Sequence, residues 1–207
     1  MNHLAHLFLA SADADSMAGN LAADWVKGTV GERFTPAIRA AVQMHRQIDA
    51  FVDDHPATVR ACARLRIGRY GPIVVDVFND YLLATSWDVV AMRPLEAFAS
   101  ESYSALLTRL DVLPEPLQTR LPRMIGDRWL ERFHDLEHIS RILRYLSTRL
   151  RRPGPVAEGV QVALPHLDGL RADFLDLLPD VVEFARTIDP AAAPAHRVPH
   201  THFYSAF

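Results

Sequence analysis

The sequence predicts an all-α fold, a single-domain helical bundle, on three observations. Apolar residues recur at helical spacing nearly throughout the chain. Only one stretch, "IVVDVF", has the β-branched richness of a strand, and it runs into "NDYLLATSW" with no turn signal, so the whole of it reads as helix. The chain has 207 residues, enough for one domain with a substantial core, and no repeat or low-complexity linker divides it.

The elements follow in order. Residues 3–11 read as a short apolar helix. Residues 16–28 form a second, started by Asp15 or Ser16 and stopped near Gly28. A third runs from Pro36, a good first-turn residue, to Asp53, and ends before His55-Pro56. Residues 57–67 and 72–87 give a fourth and a fifth. Beyond Pro94, helices are expected over 94–111, 114–125, 127–150 and 157–188, the last bent at Pro165 and Pro179. The domain thus covers 1–188. Residues 189–207 form a Pro/Ala-rich tail, expected to be extended and packed on the body or a neighbour. Its His196 and "HTH" resemble metal ligands, but a flexible tail rarely holds them.

Composition narrows the function. Nearly half the residues are apolar and the net charge is −3, so a general polyanion-coating surface is not expected, and neither is nucleic-acid binding. No apolar run approaches the roughly 20 residues that span a bilayer, and the first residues carry no basic leader. The expectation is a cytoplasmic protein without a membrane partner. A single cysteine, Cys62, excludes an internal disulfide and a cysteine-based zinc cluster, and its setting in "RACARLRIG" reads as a packed thiol. Lys27 is the only lysine among the 22 basic residues.

The chemistry-bearing signal is a set of polar pairs four residues apart: Asn2–His6, Asn20–Asp24, His45–Asp49 and Asp76–Asp80. In an α-helix that spacing puts both side chains on one face. In "QMHRQIDAFVDDHP" the pair interrupts a buried stripe of Met44, Ile48, Phe51 and Val52. A buried carboxylate without a partner costs several kcal/mol and is answered by protonation, pairing or metal coordination. Helices that turn such pairs inward would build a mixed His/carboxylate cluster suited to Mn²⁺, Mg²⁺, Fe²⁺ or Zn²⁺. Each pair also has an ordinary reading: Asn2 as a helix cap with His6 a core histidine, Asp24 paired with Lys27, and His45–Asp49 as a hydrogen bond countered by Arg46 and Arg60. Asp76 and Asp80 resist one, because like charges a turn apart repel unless a cation or arginine lies between them.

Four blocks, "MNHLAHLFLA", "GNLAADWVKG", "MHRQIDAFVDDHP" and "VVDVFNDYLLATSW", resemble in order and spacing the acyl carrier protein phosphodiesterases, also called acyl carrier protein hydrolases. The resemblance continues more weakly through "PLEAFASESYSALL", "MIGDRWLERF" and "ISRILRYLSTRL", to about residue 185. It implies an all-helical fold related to the HD-type metal-dependent phosphohydrolases. The implied activity is hydrolysis of the phosphodiester that joins 4′-phosphopantetheine to a serine of holo-acyl carrier protein, with Mn²⁺ or Mg²⁺ as cofactor. The family's motif positions map onto His6, Asn20, Asp24, His45, Arg46, Asp49, Asp76 and Asp80. One departure stands out: the family usually reads Asp-His where this chain has Asp80-Tyr81, and a phenol replaces imidazole poorly at neutral pH.

On that resemblance, Asp24, His45, Asp49 and Asp80 are expected around the metal. Asp76 is either a further ligand or an orienter, and His6 either a ligand or a proton donor to the serine oxygen. Asn20, Lys27, Arg46 and Tyr81 are the candidates for phosphate and substrate contact. An acidic carrier protein calls for a basic docking face. Two arginine clusters offer one: Arg60, Arg64, Arg66 and Arg69, and Arg141, Arg144, Arg149, Arg151 and Arg152. Two alternatives stand beside this reading. One is an HD-like phosphohydrolase acting on a nucleotide or small phosphodiester, although no Gly-rich phosphate loop appears. The other is a non-catalytic binder of acyl carrier protein.

Overall fold

A computed structural model describes residues 1–152 and 154–197. Within them the chain forms eleven α-helices joined by turns and short 3₁₀ segments, with no extended pairing beyond one bridge between Ala91 and His196. The all-α expectation holds. Among the described residues no helix is long and apolar enough to cross a membrane.

Helix α1 (His3–Leu9) starts where the Asn2 side chain accepts the His3 N–H at 2.9 Å. Helix α2 (Ala14–Ala22) is capped by Asp13, which takes the Ser16 N–H, and not by Asp15 or Ser16. It also stops before Gly28, because Ala23–Trp25 tighten into a 3₁₀ turn. Helix α3 (Pro36–Asp54) has Thr35 as its cap and Pro36 in its first turn. Helix α4 (Pro56–Leu65) begins on His55, whose Nδ1 accepts the Ala57 N–H at 3.2 Å. Helix α5 (Gly71–Thr85) takes up "IVVDVF" as expected: burial of Val74, Val75, Val77 and Phe78 outweighs the β-branched preference for strand. Helices α6 (Trp87–Val90), α7 (Leu95–Leu107) and α8 (Glu115–Gly126) follow.

Two long expected helices are broken. Over 127–150, Arg128 adopts a left-handed backbone (φ 50°), and α9 (Leu136–Thr148) restarts only where Asp135 accepts the Glu137 N–H. Over 157–188, α10 (Gly159–Ala163) gives way to a 3₁₀ turn containing Pro165 before α11 (Leu167–Ile188), which passes through Pro179. Residues 189–197 run back over the body: Ala193 donates to the Leu9 carbonyl, Met92 to Ala195 and Arg197 to Val90. His196 is buried edge-on against Phe8, and the tail's "HTH" lies outside the described residues.

Helix α5 is the central post, with α1, α4 and α9 packed around it; α2 pairs with α3, and α11 lies across α3 and α4. Phe8, Phe78, Phe98, Phe133 and Phe174 are fully buried in one continuous core, each contributing roughly 1.5–3 kcal/mol by burial. Gly19 sets the α2–α3 distance. A Cβ there would stand 2.4 Å from Ala41 Cβ and 2.7 Å from the Ile38 carbonyl oxygen. That close approach brings the end of α2 over the middle of α3, where the second and third polar pairs lie.

Candidate metal centre and its cleft

Three helices and one turn bring polar side chains to a common point. Helix α1 contributes His6, α3 contributes His45 and Asp49, α5 contributes Asp76, and the 3₁₀ turn after α2 contributes Asp24. The His45–Asp49 pair meets on one helix face, with His45 Nε2 3.1 Å from Asp49 Oδ2. His6 Nε2 reaches the other oxygen of Asp49 at 3.0 Å, and the two imidazoles stack with centroids 3.6 Å apart. Asp24 Oδ1 lies 3.4 Å from His45 Nε2. Ligand atoms of His6, His45 and Asp49 all fall within 4.8 Å of one another.

One member of this donor set, Asp49, holds a cation together with Asp76. The Met1 ammonium is buried between Asp49 Oδ1 at 3.3 Å and Asp76 Oδ1 at 3.1 Å. Burial opposes its charge, but the two carboxylates prevail and hold its pKa up at about 10. Two imidazole nitrogens with carboxylate oxygens, converging where a positive charge is already stabilised, match the hard-to-borderline donors a divalent ion takes.

The histidines differ in electrostatic setting. Burial and the neighbouring His45 push His6 down to about 4. Burial acts the same way on His45, but its hydrogen bonds to Asp24 and Asp49 outweigh burial and raise it to about 9. Burial would raise Asp49; its bonds to both imidazoles hold it well below the usual carboxylate range instead.

The remaining expected site residues are placed as follows. Asp80 does not join the cluster: fully buried, it accepts the N–H groups of Leu4 at 2.7 Å and Ala5 at 3.1 Å at the start of α1. Burial lifts it to about 7 despite those donors. Asn20 is buried and donates to its own helix at the Ser16 carbonyl, 3.0 Å away. Arg46 donates to the Val26 carbonyl at 2.6 Å, which braces the turn carrying Asp24 and Lys27. Lys27 is exposed on the rim of the cleft described next. Tyr81 is buried edge-on against Phe78 and does not line that cleft.

Asp24, Asp49 and Asp76 line a cleft of about 740 Å³, with the buried His6 and His45 behind Asp49. Trp25, Trp129, Met124, Ile142 and Leu146 supply apolar wall, while arginines of α8 and α9 stand at its lip. His3 was not among the expected site residues. It lines the cleft, stacks on Trp25, meets Trp129 edge-on, and brings Nε2 to 3.8 Å from Asp24. Its place inside "MNHLAH" was the available signal. Trp129 and His138 come from the broken 127–150 region, where no spacing pattern marks them.

The acyl carrier protein phosphodiesterase family model matches residues 1–181. A protein of that name from Serratia proteamaculans is 32% identical over 190 residues, covering 90% of this chain and 98% of the relative. One from Escherichia coli is 31% identical over 188 residues, covering 89% and 97%. One from Yersinia pestis is 32% identical over 189 residues, covering 90% and 98%. No solved structure matches the chain. With a family match over most of its length and relatives this similar end to end, the chain belongs to the acyl carrier protein phosphodiesterase family.

Proposed function

We propose that this protein hydrolyses the phosphodiester between 4′-phosphopantetheine and the serine of holo-acyl carrier protein, aided by a divalent cation, Mn²⁺ or Mg²⁺. Water adds to phosphorus, the bond from phosphorus to the serine oxygen breaks, and that oxygen takes a proton. The products are apo-carrier and free 4′-phosphopantetheine. The observation that carries this reading is the convergence of His6, His45 and Asp49 on one point, with Asp49 opening into a cleft.

In this reading His6, His45 and Asp49 hold the ion, with Asp24 and Asp76 at its edge. When bound, such an ion neutralises phosphoryl oxygens and makes water more acidic. Lys27 and the cleft-facing His3 serve the substrate: Lys27 takes a non-bridging oxygen, and His3, stacked on Trp25 and with its pKa lowered by burial, offers a ring N–H as a hydrogen bond to the phosphodiester. Asp80 acts by position, since it fixes the start of α1 and thereby the direction of His6. Arg46 does the same for the Asp24 turn. The helical scaffold with its His/Asp set is read as a relative of the HD-type phosphohydrolases.

The test is intact-mass spectrometry of holo-carrier incubated with the protein and Mn²⁺. Loss of the phosphopantetheine mass, abolished by chelator and by Asp49→Ala, supports the reading. An unchanged carrier mass alongside turnover of a generic phosphodiester refutes it in favour of another phosphohydrolase. Carrier binding with no turnover of either substrate reduces the protein to a binder.

A further inference from the structure

The two arginine clusters have different fates in the fold. In the first, Arg60 and Arg64 both pair with Asp173 of α11, at 3.0 and 2.6 Å, and Arg60 also bonds Asp176. Those charges are neutralised within the molecule and lie against α11. In the second, Arg144 pairs with Glu137; of the arginines that line the cleft, Arg132 pairs with Asp135 at 3.5 Å. Arg120 of α8, Arg141 of α9 and Arg149 just beyond it are exposed on the cleft lip, and among the described residues none of these three has a carboxylate within 4.0 Å.

Their arrangement concentrates charge. Arg120 and Arg149 both donate to the half-exposed Tyr145 hydroxyl, at 3.3 and 3.4 Å, so two guanidiniums converge on one neutral oxygen. Arg149 also lies 5.8 Å over the Tyr145 ring. Beyond α9, Arg151 and Arg152 join Arg69 around a second hollow of about 460 Å³, which shares Ile73 with the main cleft. The cleft is therefore bipolar, with Asp24, Asp49 and Asp76 on one side and Arg120, Arg141 and Arg149 on the other, where Asp127 and the paired Arg132 also stand.

We propose that this lip, Arg120, Arg141 and Arg149 continued by Arg151 and Arg152, is the surface on which an acidic protein partner docks. Resting on the functional reading above, that partner is the carrier protein, whose carboxylates beside the modified serine meet the lip while the pantetheine arm lies along Met124, Ile142 and Leu146. Charge count favours a protein over a small substrate. A phosphodiester carries one negative charge, which Lys27 answers, whereas Arg141 and Arg149 spread positive charge over about 12 Å along α9 and its C-cap. A nucleic acid would also meet guanidiniums, but the net charge of −3 opposes a long polyanion wrapping the molecule.

The test is the triple variant Arg120→Glu, Arg141→Glu, Arg149→Glu, with its fold checked by circular dichroism. Titration with apo-carrier, which has no phosphodiester, reads docking alone. Dissociation constants are expected to rise about 10-fold or more, with a flatter salt dependence than the wild type. With holo-carrier, KM is expected to rise by a similar factor, with kcat the lesser change. Affinity and KM within twofold of wild type overturn the proposal. So does a duplex oligonucleotide that binds the wild type more tightly than carrier does and is lost in the variant. If the wild type releases no phosphopantetheine, the functional reading fails, and the apo-carrier titration still decides whether this lip docks it. Should the triple variant misfold, the pair Arg151→Glu, Arg152→Glu on the same strip is read in the same way.

Discussion

Replacing Asp80 with asparagine tests the buried contact that fixes α1. The carboxylate is fully buried and receives two backbone N–H groups, from Leu4 and Ala5. Its folded pKa is raised by burial from 3.8 to about 7, with the two donors pulling part of the way back. The unfolded chain therefore releases this proton near the ordinary carboxylate value, and the folded protein only near 7. Between those limits the folded state binds more protons, so its stability is greatest below the unfolded value and falls as pH rises, until the folded pKa is passed. The slope is about 1.4 kcal/mol per pH unit, which amounts to about 3 kcal/mol between pH 5 and pH 7. Asp80→Asn does not titrate and keeps one oxygen for one of the two N–H groups; the other, left unpaired, costs about 1–3 kcal/mol. Urea unfolding of both proteins at pH 5, 6, 7 and 8, with chelator present so that cation binding does not enter, should show the wild type's advantage shrinking by about 3 kcal/mol up to pH 7 and then levelling. A difference between the two proteins that stays constant with pH would refute the reasoning.

Other expectations follow from the same geometry. Asp49→Asn removes the one carboxylate shared by both imidazoles and the ammonium, so Mn²⁺ affinity, followed by electron paramagnetic resonance, should fall by about 100-fold or more; unchanged affinity would place the ion elsewhere. Gly19→Ala forces α2 off α3 and should cost about 1–3 kcal/mol in denaturant unfolding, and Ala41→Gly in the same chain should recover part of it. Cys62 is half-buried and burial raises its thiol to about 11, so Ellman's reagent at pH 7 should react far more slowly with the native protein than with the unfolded chain.

Much of the architecture was legible because helix caps and apolar periodicity are local. Thr35-Pro36 and His55-Pro56 bound α3 and start α4 as the residues suggest. His45 and Asp49 were readable as a pair because α3 is regular through both. The same spacing misled at Asn20 and Asp24: the helix tightens at Ala23, so Asn20 stays buried on α2 while Asp24 swings to the cleft. It also left open how Asp76 and Asp80 coexist. Asp76 meets the Met1 ammonium directly, whereas Asp80 accepts the first N–H groups of α1, so the two carboxylates turn to different donors. The split of residues 127–150 turns on a left-handed backbone at Arg128, a residue type that gives no warning of it. The cleft wall was hidden for the same reason, since Trp25 and Trp129 meet His3 only through tertiary packing.

Helix α1 is seven residues long, too short to persist unaided in water. Its two ends are gripped by distant parts of the chain: Asp80 holds the start, and Ala193, in the segment that folds back over the body, holds the Leu9 carbonyl at the finish. Helix α1 is thus secured by contacts distant in sequence, and His6 is aimed only once those contacts close. Loosening residues 189–197 would leave most of the hydrophobic core in place but free one end of α1, so affinity for a cation should suffer before the fold does.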